Sequence, residues 1–139
     1  MIVVDSSAVV AILFGESSAE ALSVCPATDP DRVMSVASYL ETGTVLAGRR
    51  RTDKDRAITD LDAFPDAAGI RLAPVDGRRI RIALSARIRF GRGMGHGGLL
   101  NSGDAFSYAL AVSHDAPLLF VGDDFGTTDV RIALNPGLP

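Results

Sequence analysis

Met1-Ile2-Val3-Val4-Asp5-Ser6-Ser7-Ala8 opens the chain: a short β-branched apolar run, an acid, then two hydroxyls. Four apolar residues that end on a carboxylate read as a buried strand. Either serine can cap a helix on its far side, with Ala8, Val9, Ile12 and Leu13 on one face. A strand feeding straight into a helix is the first half of an α/β unit, and the rest of the chain repeats the alternation. Gly15 breaks that helix, and Ser17 or Ser18 starts a second one that runs to Val24. Residues 25–31, with Pro26 and Pro30, read as a loop, and 32–35 as a short strand. Ser35 or Ser38 opens a helix whose inner stripe is expected to be Val36, Ala37, Leu40, Thr44 and Ala47, with Glu41 at its border. Asp53 caps a helix that turns Ala57, Ile58, Leu61 and Phe64 inward and ends at Pro65 and Gly69. A strand over 70–75 follows, then a basic helix over 77–90 capped by Asp76. Six glycines between 91 and 103 are too many for regular structure and mark a loop. Ser102 caps a helix over 103–114 built on Ala105, Tyr108, Ala109 and Val112. Strands over 118–121 and 130–134 complete the chain. The predicted architecture is an α/β three-layer α/β/α sandwich around a mostly parallel sheet, as one domain over 1–139.

The bulk numbers agree with an ordered globule. Of 139 residues, 47% are hydrophobic, a length and content that can bury a core without covalent staples. No stretch reaches the ~18 consecutive apolar residues that a membrane span needs. The first residues lack the basic region of a signal peptide, and Asp5 interrupts their apolar run. Cys25 is the sole cysteine, so no internal disulfide forms. The cytoplasm is the expected compartment.

Four acids occupy places where such a fold turns toward one edge of its sheet: Asp5 after the first strand, Glu41 in the third helix, Asp104 at the start of the last helix, and Asp123 with Asp124 after 118–121. In open α/β sheets, sites form beyond the carboxyl ends of the strands. Two like charges ~4 Å apart cost about 4 kcal/mol at an effective dielectric near 20. A gathering of carboxylates therefore asks for a cation, and hard oxygen donors suit Mg²⁺ or Mn²⁺. Metal-assisted phosphodiester hydrolysis is the chemistry this pattern points to. Taken singly, each acid has a plainer reading. Asp104 in particular sits in a first helical turn, where a carboxylate serves the dipole.

The net charge of −3 hides a division. Arg49, Arg50 and Arg51 form one basic cluster, and Arg71, Arg78, Arg79, Arg81, Arg87, Arg89 and Arg92 another. Arg49, Arg50, Arg78 and Arg79 are the candidates for holding a polyanion's phosphates beside an acidic pocket; the plainer reading is solvation of helix faces. His96 and His114 are the only histidines. Neither is placed as a member of an acid–base pair, which a metal-free ribonuclease would want. No Gly-x-Gly-x-x-Gly follows a strand, which disfavours a dinucleotide-binding fold.

Four motifs in order then resemble one family: Val3-Val4-Asp5-Ser6-Ser7-Ala8; Ser38-Tyr39-Leu40-Glu41-Thr42; Leu100-Asn101-Ser102-Gly103-Asp104-Ala105; and Leu118-Leu119-Phe120-Val121-Gly122-Asp123-Asp124-Phe125. Together they resemble a PIN domain, and more narrowly the VapC toxins of bacterial VapBC toxin–antitoxin pairs. The resemblance spans essentially the whole chain. It implies a Mg²⁺- or Mn²⁺-dependent ribonuclease, a homodimer, and a VapB-type antitoxin that blocks the acidic pocket. Asp5, Glu41 and Asp104 match the first three family acids. Asp123 is favoured as the fourth, ahead of Asp124 and the more remote Asp129, and Ser7 matches a small hydroxyl near the first acid. Hydrolysis of RNA would leave a 5′-phosphate and a 3′-hydroxyl. The rival reading is a catalytically inactive PIN-like module that binds protein or RNA, with Val9, Ile12, Leu13 and Phe14 as a groove for a partner helix.

Overall fold

A computed structural model describes residues 1–27, 29–49 and 53–136. Its centre is β1 (Ile2–Val4), flanked on one side by β2 (Arg32–Ser35) and β3 (Ile70–Ala73) and on the other by β4 (Leu118–Leu119) and β5 (Ile132–Leu134). The order is β3-β2-β1-β4-β5, and every neighbouring pair is parallel. Parallel neighbours need crossovers, and the helices supply them. They are α1 (Ser6–Leu13), α2 (Ala19–Ala27), α3 (Val36–Arg49), α4 (Lys54–Ala68), α5 (Gly77–Phe90) and α6 (Ser102–Ser113).

Alternation along the strands divides the core in two. Val3, Val33, Leu118 and Phe120 pack with α5 and α6, whereas Ile2, Val4, Met34 and Leu119 pack with α1, Leu22 and Phe64 on the opposite face. Both faces of the sheet are covered, giving the expected three layers. Val9 is fully buried, Ile12 and Leu13 pack against it, and the Arg49 guanidinium lies 4.9 Å from the Phe14 ring centre. Of the proposed groove residues on α1, Val9 is thus part of the core, while Ile12, Leu13 and Phe14 stay partly exposed at its edge.

The inner face of α3 differs from the expected stripe. Val36 and Leu40 are exposed, Leu40 to 71%, while Ser38, Thr42 and Leu46 are buried. The reason is size. Ser38 and Ser107 of α6 bring their hydroxyl oxygens to 2.9 Å, and small side chains let the two helices approach closely. The Thr42 hydroxyl donates to the Ser38 carbonyl at 2.8 Å, so the buried polar groups are satisfied. Ile58 and Val112 likewise face outward rather than inward. Further along, α2 runs through Cys25 to Ala27 instead of stopping at Val24, and Pro65 lies inside α4. Gly69, with φ of 63°, ends α4 in the left-handed conformation that glycine tolerates best.

Candidate functional site

Asp5 stands where β1 ends, its amide donating to the Leu119 carbonyl of β4 at 3.0 Å. It is also the N-cap of α1, a place the sequence had offered to Ser6 or Ser7. Its Oδ2 accepts from the Ser7 amide at 2.9 Å and the Ser7 hydroxyl at 2.6 Å. Its Oδ1 is buried and has no hydrogen-bond donor. An unsatisfied carboxylate oxygen in a buried position is costly, and a cation is the kind of partner that would offset that cost.

Glu41 reaches the same edge from α3. The buried Ser6 donates its hydroxyl to Glu41 Oε2 at 2.8 Å. Burial pushes the Glu41 carboxyl up; the Ser6 hydrogen bond opposes this, and the charges of Asp5 and Asp124 add to it. Asp104 arrives on the first turn of α6. Its Oδ2 accepts from the Asn101 amide at 2.8 Å while the Asn101 side chain accepts from the Asp104 amide, a capping box with Asn101 rather than Ser102 as the cap. Burial raises the Asp104 pKa to about 7, opposed by the Asn101 bond and reinforced by Asp5, Asp124 and Glu41. Gly103 provides the space between helices: a Cβ there would lie 2.3 to 2.6 Å from the Glu41 carboxyl atoms.

The structure therefore brings Asp5, Glu41, Asp104 and Asp124 into one electrostatic neighbourhood. The charge of Asp124 acts on Glu41 and Asp104; Asp123 is exposed, and its backbone carbonyl takes the Gly126 amide at 2.9 Å. Asp129 lies apart, accepting the Tyr108 hydroxyl at 2.6 Å and standing 3.7 Å from Arg89. Gly122, with φ of 103°, precedes the pair, and of the two it is the charge of Asp124 that acts on Glu41 and Asp104.

Ser7 stands directly against the first acid. Its hydroxyl donates to Asp5 and accepts the Val121 amide at 3.0 Å, so it locks the first acid to the end of β4. Arg79 donates to the Pro74 carbonyl and lies 3.0 Å from His114 at the far end of α6. Arg78 is its exposed neighbour, so both are about a helix length, roughly 18 Å, from the Asp104 end. Arg49 pairs with Glu16 at 3.1 Å. Arg50 and Arg51 lie outside the described residues. Sequence reasoning missed Ser6 and Gly103. A glycine inside a first helical turn, one residue before a candidate acid, was the available signal for the second.

By donor chemistry these residues fit a hard divalent ion: the oxygens are carboxylate, one is buried without a partner, and mutual repulsion opposes their charged forms. Among the described residues, no three acids are drawn tightly enough together to make a closed ligand set.

An all-parallel α/β sheet with acids converging beyond its carboxyl edge defines the class. The chain belongs to the PIN-domain family, whose model matches residues 2–130. It is similar to Ribonuclease VapC28 of Mycobacterium tuberculosis, 44% identical over 133 residues covering 96% of this chain and 98% of that one. Ribonuclease VapC of Mycolicibacterium smegmatis is 45% identical over 128 residues, covering 92% and 96%. Among solved structures, M. tuberculosis VapC20, a sarcin–ricin loop cleaving toxin, superposes with a TM-score of 0.76 at 20% identity, covering 98% of this chain and 100% of that one. VapBC2 from Rickettsia felis, bound to a fragment of its promoter DNA, gives 0.73 at 16% identity, covering 97% and 98%. These last two likenesses bear on the fold.

Proposed function

We propose that this protein is the toxin of a VapBC-type toxin–antitoxin pair, a divalent-metal-dependent ribonuclease that hydrolyses RNA phosphodiester bonds at the acidic edge of its sheet. The observation that carries the reading is the buried Asp5 oxygen that no protein donor serves, at a sheet edge where the charges of Asp5 and Asp124 act on both Glu41 and Asp104. The ribonuclease relatives at 44–45% identity over nearly full length support it, and favour it over an inactive binding module. A VapB-type antitoxin is the partner that goes with this reading. So do a homodimer, a single catalytic domain and a cytoplasmic location. No helix among the described residues is long and apolar enough to cross a membrane.

When bound, Mg²⁺ or Mn²⁺ supplies Lewis-acid polarisation of the phosphodiester and a more acidic water. The chain's own residues prepare for it. Ser7 and the α1 N-terminus fix Asp5, Ser6 orients Glu41, and Asn101 orients Asp104. Asp104, whose pKa burial raises to about 7, would hold such an ion in its deprotonated form. The test is to express the wild type and Asp5→Asn and map 5′-phosphate ends in cellular RNA. New ends with the wild type alone are expected; equal ends from both, or cleavage by purified protein in excess chelator, would overturn the reading.

A further inference from the structure

The glycine-rich segment between α5 and α6 is clamped at its base. Gly91 and Leu100 form a parallel bridge, the Leu100 amide donates to the Phe90 carbonyl at 3.1 Å, and the Arg92 amide donates to the Leu100 carbonyl at 3.0 Å. The Arg87 guanidinium donates to that same carbonyl. Gly98 makes the close approach possible, because a Cβ there would stand 2.0 Å from the Phe90 carbonyl oxygen. This clamp sets the backbone of Arg92 beside Leu100, immediately before the Asn101 cap that orients Asp104. From that anchor, Arg92 Nη2 reaches to 3.4 Å from Asp124 Oδ1.

The pair is weak by construction. The Arg92 side chain is 68% exposed and that of Asp124 38%, and exposed ion pairs contribute little. The charge of Asp124 also acts on Glu41 and Asp104, so a divalent ion held among these acids would compete with a single solvated guanidinium. Once displaced, the guanidinium keeps its anchored backbone. It offers a planar fork of donors, the geometry that matches a phosphate.

Resting on the nuclease reading above, we propose that Arg92 is a phosphate-binding residue of the active site that Asp124 holds while no metal is bound. A cation arriving at Asp124 releases Arg92 toward the RNA phosphate beside it. Asp124 therefore answers to two partners in turn, and ion and RNA binding are coupled through Arg92 in both directions.

The experiment measures Mn²⁺ uptake by calorimetry on RNA-free protein, and binding of a single-stranded RNA in Ca²⁺ over a salt series. Proteins compared are the wild type, Arg92→Gln, Arg92→Lys, and Arg56→Gln as an exposed control on α4. Arg92→Gln is expected to tighten Mn²⁺ binding about twofold to fivefold, the range that loss of an exposed ion pair allows. It should weaken RNA binding about tenfold, as loss of a charge-assisted fork does, and reduce the log–log salt slope by about 0.7. Arg92→Lys should keep the wild-type Mn²⁺ affinity while recovering only part of the RNA affinity, and Arg56→Gln should change neither. Unchanged Mn²⁺ affinity in Arg92→Gln, or unchanged RNA affinity, overturns the proposal while leaving the nuclease reading in place. Failure of the wild type to take up Mn²⁺ removes both.

Discussion

One oxygen of Asp5 caps α1 and takes the Ser7 hydroxyl, while the other is buried without a donor. Asparagine caps a helix about as well as aspartate, so Asp5→Asn should leave α1 in place and relieve repulsion from Glu41 and Asp104. The expected outcome is a thermal midpoint equal to or above the wild type, with RNA cleavage reduced about 100-fold or more, the scale of losing an active-site electrostatic group. Melting curves and a cleavage assay on the same preparation check it; loss of folding would show that the cap dominates. Asp104 gives a pH dependence whose sign follows from its raised pKa. The folded protein binds this proton more tightly than the unfolded chain, so the contribution to stability is complete below 3.8 and is lost as pH rises through about 7. Denaturant titrations in chelator should show this decline for the wild type and a flatter profile for Asp104→Asn.

At the scale of elements, α6 and α3 meet through small residues, and Gly103 is the point where that closeness serves the site. Alanine is the better helix former by up to ~1 kcal/mol. A Cβ at this position, however, meets the Glu41 carboxyl at 2.3 to 2.6 Å. Because the obstacle is the end of a flexible side chain, Glu41 yields rather than the helix. Gly103→Ala should keep or raise the melting temperature and lower cleavage about tenfold or more by moving Glu41 off its Ser6 hydrogen bond. A destabilised variant with full activity would contradict this. The same closeness explains why the inner face of α3 departs from its apolar stripe. Apolar periodicity singles out Val36 and Leu40, but the contact with α6 selects for size, and Ser38 and Thr42 win it.

For the molecule as a whole, the proposed site is a store of repulsion that a bound ion would release. A ligand at 100 times its Kd stabilises the folded state by about 2.7 kcal/mol, which for a chain of this size raises the midpoint by roughly 10 °C. Mn²⁺ should therefore raise the melting temperature of the wild type in a concentration-dependent way. The increment should vanish in Asp5→Asn, as read by calorimetry or fluorescence. No increment in the wild type would count against the metal reading. Arg78 and Arg79 belong to this scale too. The charge run nominates them as phosphate ligands. Because α5 packs along α6, Arg79 ends beside His114, while Arg92 stands beside Asp124.

Alternating strand and helix signals, with β-branched runs ending on acids, were enough to specify a three-layer α/β fold and to nominate Asp5, Glu41 and Asp104, because those features depend on neighbours a few residues apart. The choice between Asp123 and Asp124, the duties of Ser6 and Ser7, and the buried face of α3 depend on which elements touch. That is set by the order β3-β2-β1-β4-β5, which lays β4 from the end of the chain against β1 from its beginning. Local periodicity carries no record of such a contact, since it arises only when distant segments bury their faces together.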